Sequence, residues 1–421
     1  MIIKKIRLAA PFVFCNYSQA GLSFLISMLL ANILGPEEFG VYSFGLIFAT
    51  GLPKIVGFGE EKTLVRDLVQ CGNASAILTA SMAIRIVLSI IAIIGLGVWL
   101  TIGNQQANVR WTVIFCTLGG ILLGLTPRGW FDFRYEMTRH AFIILTERIL
   151  FGVLLLLSFS GNLSPKGAVT VAFFLLISRM VSVSVQWSQV FKTFKVVLSR
   201  IDQFIKLLLK ENYLIWGGVL GNLMMTHVNR IILNEKMGPS ELAFYGLSIQ
   251  IVMFVQLFQG QMLRLLTPGI AKITVSQFSP KEMREKFLKY VGLSFGLTCL
   301  IVVPLFFAGP FIIRSFMRPE FEGAIPCFYI LLLWTTIYGA AIVNNQFLIS
   351  LRLSKQFIAI TIIFGLLSIF IALKLVPLFG AMGAALSLFI SHVGSIICQF
   401  IFVWVRSGIP ASKTIIELSG K

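Results

Sequence analysis

Gly35-Pro36-Glu37-Glu38-Phe39-Gly40-Val41-Tyr42 returns 203 residues later as Gly238-Pro239-Ser240-Glu241-Leu242-Ala243-Phe244-Tyr245. Glycine adopts backbone angles that other residues avoid and proline withholds an N–H, so each copy reads as a turn between two apolar runs. A second echo follows in the same order. GAVTVAFFLLISRMVS (167–182) matches GAMGAALSLFISHVGS (380–395), a shift of 213. Two echoes at similar shifts mark a duplication. The chain is two copies of one plan.

Around these turns the sequence is too apolar for water. Hydrophobic residues make up 57% of the 421 positions, against about 45–50% in soluble domains even with glycine counted. Charged residues are 12%, about half the usual ~25%, and the mean hydropathy is +0.90. A membrane crossing takes about 20 apolar residues. Apolar runs between breaks of charge, glycine and proline predict twelve spans: 9–33, 39–59, 76–101, 109–126, 140–160, 167–190, 213–234, 241–266, 288–309, 324–349, 357–374 and 379–405. Ser18-Gln19-Ala20 has the look of a signal cleavage site, but the apolar run continues to Leu34, too long for a signal h-region. It reads as an uncleaved first span.

The echoes divide the spans into an N-terminal six-helix bundle (1–190), a basic linker (191–211) and a C-terminal six-helix bundle (212–421). Six spans per half give both halves one orientation. The repeat is therefore parallel, related by an axis along the membrane normal, and a central site between such halves is the common transporter plan. The linker FKTFKVVLSRIDQFIKLLLKE is expected to lie as an amphipathic helix on the inner leaflet.

Lys and Arg concentrate on the cytoplasmic side of membrane proteins. With the amino terminus inside, the inner segments hold 23 of the 35 basic residues and the outer ones 6: Arg110, Lys166, Lys236, Arg314, Arg318 and Lys374. Both termini are assigned to the cytoplasm. Most of the net charge of +18 is thus topogenic and does not indicate nucleic acid.

No metal or cofactor is expected. The cysteines (Cys15, Cys71, Cys116, Cys299, Cys327, Cys398) form no CxxC pair, and His140, His227 and His392 are far apart. The longest outer segment, 310–323, is about 14 residues, short for a polymerase loop, and no His/carboxylate constellation points to a membrane polymerase or acyltransferase, the less favoured alternatives. The chain is expected not to be an enzyme. Lipid contact and interfacial anchoring account for most of the aromatics, Tyr17, Phe24, Tyr42, Phe44, Trp187, Tyr245 and Trp334 among them, and none is assigned individually to a ligand.

Charges inside spans carry the functional reading, since each costs at least ~2.5–3.5 kcal/mol near the bilayer centre. They are Lys54, Arg85, Glu147, Arg148, Arg179, Arg230 and Arg264. Arg264 is close enough to an inner end to snorkel. Lys54 and Arg230 also lie near ends, whereas Arg85, Arg148 and Arg179 do not. Glu147 cannot pair well with its neighbour Arg148, because adjacent helical residues do not face each other. It either pairs with an Arg of another helix or couples transport to an ion. Six basic groups against one acidic leave a surplus of five. An anionic ligand would answer it, and the planar Arg fork suits a diphosphate. Arg85, Arg148, Arg179, Lys54 and Arg230 are therefore the expected cationic cavity. Arg179 aligns with His392 in the repeat.

The turn GPEEFGVYSF (35–44), the segment FGEEKTLVRDL (58–68), the group Pro127, Trp130, Phe131, Glu136 and Met137, and GAMGAA (380–385) resemble the Wzx-type flippases. These form the polysaccharide branch of the multidrug/oligosaccharidyl-lipid/polysaccharide (MOP) exporter superfamily, which includes the MATE drug antiporters. The resemblance implies an all-α, MATE-like fold of about twelve helices. It implies export of an undecaprenyl-diphosphate-linked oligosaccharide across the bacterial inner membrane, for O-antigen or another surface polysaccharide, by alternating access. A polysaccharide polymerase and a chain-length regulator are the implied partners. Where that family often has an acidic residue before an Arg in span seven, this chain has Asn229-Arg230. The alternative is a MATE-like ion-coupled antiporter of organic cations, which the basic interior opposes.

Overall fold

In hydrocarbon, backbone N–H and C=O groups find partners only in one another, so apolar runs of this length fold as helices. The computed structural model describes residues 2–60, 63–70, 73–103, 105–160, 167–275, 279–351 and 353–407. Cys71 and Lys166, named above, and Lys62, Arg352, Lys413 and Lys421, which are among the 23 inner basic residues, lie outside these residues, as does the side chain of Arg264. The described residues are all-α. In order they form α1 (Ile2–Val56), α2 (Leu64–Gln70), α3 (Ala74–Ile102), α4 (Ala107–Gly124), α5 (Arg128–Phe133), α6 (Met137–Ser160) and α7 (Ala168–Val190). Then come α8 (Ile201–Leu223), a π-helical turn (Met224–Val228), α9 (Asn229–Met237), α10 (Pro239–Val275), α11 (Pro280–Phe316), α12 (Ala324–Ser350) and α13 (Ser354–Ser407).

Nine of the described helices are long and apolar enough to cross a membrane. Two of them, Pro11–Val56 and Ser354–Val405, are 46 and 52 residues long, about twice one crossing. Each bends at a glycine in a conformation only glycine adopts readily: Gly35 (φ 72°, ψ 176°) and Gly380 (φ 54°, ψ −130°). Counting these as two spans each, and α8 with α9 as one, gives about twelve. The duplication is written in the backbone. Five described glycines have positive φ, and four of them (Gly35 with Gly238, Gly167 with Gly380) begin the two echoed motifs.

The chain forms two compact units. One runs up to Leu220 and includes Gly238–Ala243; the other holds Gly221–Met237 and the chain from Phe244 onward. The amphipathic helix expected over 191–211 begins only at Ile201 and continues without interruption into the seventh span as α8. Residues ahead of it turn sharply, with Arg200 at φ 56°.

Helix faces follow the solvent. On α3, Ile86, Val87, Ile90, Ile91, Ile93 and Ile94 are exposed, whereas Ile84, Arg85 and Ser89 are buried. An apolar outside with polar groups inside fits a lipid surround. The motifs after spans two and four build one buried cluster. Phe58, Leu64, Leu68, Trp130 and Phe131 pack with Ile77, Leu78, Val190, Phe194 and Leu208. Much of the motif set that carries the family resemblance therefore serves packing.

Candidate functional site

Pro53 has no N–H, so the carbonyl of Ala49, four residues back in α1, loses its helical donor. Arg179 on α7 supplies one, its Nη1 donating to Ala49 O at 3.2 Å. Facing it on α4 is Gly119, where a Cβ would stand 3.2 Å from Arg179 Cδ and 3.3 Å from Nη1. The small residue makes room for the guanidinium. Tyr42 and Cys116 lie within its electrostatic reach.

Helix α6 adds the carboxylate. Glu147 Oε1 lies 3.9 Å from Arg179 Nε and 4.0 Å from Arg148 Nη2. Both separations exceed hydrogen-bond length, and Glu147 Oε1, Arg148 Nε and Arg179 Nε are buried with no hydrogen-bond partner. Glu147 is 3% exposed and Arg179 2%. Two guanidiniums around one carboxylate leave one positive charge in excess. Leaving charged groups buried without hydrogen bonds is expensive. An anionic group placed among them would relieve that cost.

Arg85 has different surroundings. Its Nη2 and Nε reach Glu60 Oε2 at 3.0 and 3.3 Å, and its Nη1 donates to the carbonyls of Gly124 (3.2 Å) and Thr126 (2.8 Å) at the end of α4. Ser81 also donates to Glu60 Oε2. These last carbonyls have no intrahelical donor, so Arg85 ties the end of α1, α3 and α4 together. Arg85 has a buried protein anion, which the sequence count had placed in a loop, and the surplus of unpaired positive charge shrinks accordingly. Lys54 sits in the last turn of α1 and is exposed.

Arg230 belongs to the other unit. Its Nε donates to Thr226 O at 3.0 Å, within the π-helical turn, and Tyr245 lies near it. Among the described residues no carboxylate lies within ion-pair distance of Arg230. Next to it Asn229 is fully buried and exchanges hydrogen bonds with Ser368 (Nδ2 to Oγ 3.0 Å, Oγ to Oδ1 3.2 Å). Asn229 also donates to Met225 O at 3.0 Å. A π-turn inside a helix often accompanies function. The structure thus brings Arg148, Arg179 and Glu147 together. It puts Arg85 in a separate cluster, and Arg230 in the second unit. Two partners were missed in the sequence, Glu60 and Gly119. Ser81 and Arg85, four apart and so on one face of α3, were the available signal for Glu60.

About twelve helices, most of them long and apolar, define a multi-pass membrane protein. Solved structures of the same fold agree. An inward-facing multidrug resistance MATE transporter of the MOP superfamily superposes with a TM-score of 0.74 at 13% identity, covering 95% of this chain and 98% of that one. A MOP superfamily transporter from Pyrococcus furiosus Vc1, described by the reverse polarity of its binding pocket, gives 0.67 at 15% identity over 96% and 95%. The lipid II flippase MurJ in an inward closed conformation gives 0.65 at 13% over 94% and 89%. Residues 12–274 match the model of a family described as polysaccharide biosynthesis protein. The chain belongs to that family. No curated protein matches it.

Proposed function

We propose that this protein is a flippase that moves an undecaprenyl-diphosphate-linked oligosaccharide across the bacterial inner membrane for surface polysaccharide assembly, with both termini in the cytoplasm. The observation that carries this reading is the under-bonded Arg148–Glu147–Arg179 cluster in a chain of the polysaccharide biosynthesis family. Its excess charge suits an anion, and guanidinium forks pair with phosphate oxygens. Arg179 and Arg148 receive the diphosphate; Arg230, with no carboxylate within ion-pair distance among the described residues, is a separate cationic group of the second unit. Arg85 holds its own helices together and affects transport only through stability. Alternating access then moves the charged group while the prenyl tail stays in lipid.

Glu147 competes with the substrate for the same guanidiniums, which makes it the residue where a coupled proton acts. The neutral Gln in Glu147→Gln should therefore tighten binding of undecaprenyl diphosphate and slow export. The primary test is surface polysaccharide in cells carrying Arg148→Gln, Arg179→Gln or Arg230→Gln, with protein abundance as control. Loss of polysaccharide at normal abundance is expected for Arg148 and Arg179. Full polysaccharide from all three would overturn the reading. A MATE-like cation antiporter would instead respond by exporting organic cations, which a drug-efflux assay detects.

A further inference from the structure

The second echo extends beyond the residues that first revealed it. Ser178, Arg179, Ser182 and Gln186 on α7 correspond, 213 residues on, to Ser391, His392, Ser395 and Gln399 on α13. The local bonds are repeated too: Gln186 Nε2 donates to Ser182 Oγ, and Gln399 Nε2 to Ser395 Oγ, both at 3.3 Å. His392 therefore occupies in the second unit the place Arg179 occupies in the first. Arg179 lies on Gly119 of α4; His392 lies on α12, the corresponding helix. There its ring meets Trp334 edge to face at 5.5 Å and Tyr338 at 6.1 Å, and the two α12 rings are 5.7 Å apart.

The hydrogen-bond state of these rings is defined. His392 Nδ1 stands 3.1 Å from Leu388 O. A carbonyl only accepts, so Nδ1 carries the proton and Nε2 of the neutral ring is an acceptor. That Nε2 is buried with no partner, and so is Trp334 Nε1, which can only donate. Both residues are 4% exposed, while Tyr338 is partly exposed and brings the cluster to the surface of the unit. A single group that satisfied both would donate to His392 Nε2 and accept from Trp334 Nε1. An ionised diphosphate only accepts, and an ammonium only donates. A hydroxyl does both.

We propose that His392, Trp334 and Tyr338 form a carbohydrate subsite, binding hydroxyls of a sugar ring against the aromatic faces, as the neutral counterpart of the anion cluster around Arg179. The inference rests on the flippase reading and adds to it where the sugar is held. The duplicated frame has diverged, one copy for charge and one for hydroxyls.

Binding of two probes to the purified full-length protein in nanodiscs tests it. One probe is undecaprenyl diphosphate; the other is the glycosylated undecaprenyl diphosphate extracted from cells making the native polysaccharide. Trp334→Phe keeps a ring and removes the N–H, and His392→Phe removes the acceptor. Each should weaken the glycosylated probe about tenfold, the scale of one lost hydrogen bond, and leave undecaprenyl diphosphate unchanged, which also reports intact folding. Arg179→Gln should weaken both probes. Unchanged binding of the glycosylated probe by both aromatic variants, or equal weakening of both probes, overturns the subsite and leaves the flippase reading standing. Failure of the wild-type protein to bind either probe overturns the flippase reading, and the subsite with it.

Discussion

Arg85 and Arg179 are the same residue type, both nearly buried, and their surroundings give them opposite expectations. Arg85 spends its donors on Glu60 and two helix-end carbonyls. Removing one partner of such a pair strands a buried charge, which costs about 3–5 kcal/mol. Arg85→Gln and Glu60→Gln should therefore lower the melting temperature and the amount of protein in the membrane. Arg179→Gln should change both much less, because Arg179 makes one hydrogen bond and one long ion pair. A fluorescence-detected thermal shift on the three purified variants decides this; equal losses would mean that the Arg179 cluster is structural. None of this was legible from residue type. The surplus of basic residues in the spans was visible, but Glu60 was counted with the loop because it follows a glycine break. Its burial at 0% exposure depends on Ser81 and Arg85, which come from another helix.

Helices here are shaped at their glycines and prolines. Pro53 frees the Ala49 carbonyl that orients Arg179, so a sequence-local break positions a residue more than a hundred positions away. Gly35 and Gly380 hold backbone angles that cost other residues about 1–3 kcal/mol. Gly35→Ala and Gly380→Ala should each lower the melting temperature. Gly95 and Gly97 are the controls. They lie inside α3 with nothing within 4 Å of an added Cβ, and Ala there should stabilise by about 0.5–1 kcal/mol. Opposite signs of the melting shift are expected, and the same sign for all four would refute the need for glycine at the two bends. The echoed glycines were readable as turns from the sequence. That the helices on either side run on through the bend with no loop between them was not, because hydrogen bonding across the bend is a property of the folded backbone.

For the molecule as a membrane protein, the orientation drawn from basic residues is testable at exposed positions. Lys195, in the turn before α8, should be labelled as Lys195→Cys only by a reagent that enters the cytoplasm. Arg314, 63% exposed by side chain near the end of α11, should be labelled as Arg314→Cys by an impermeant reagent added outside. Labelling of the Lys195→Cys variant from outside would reverse the topology. Membership of the membrane class, the approximate number of crossings and the duplication were all readable from the linear chain, since run length, average polarity and internal similarity depend on order and composition alone. The excess of basic over acidic residues within the apolar runs was readable for the same reason: it is a sum. Which arginines are satisfied could not be read that way. Glu60 and Arg85 are 25 positions apart, Glu147 and Arg179 are on different helices, and His392 meets Trp334 across two more. A pairing between helices follows from how they rotate and pack, and the packing alone separated one structural arginine from the under-bonded pair beside Glu147.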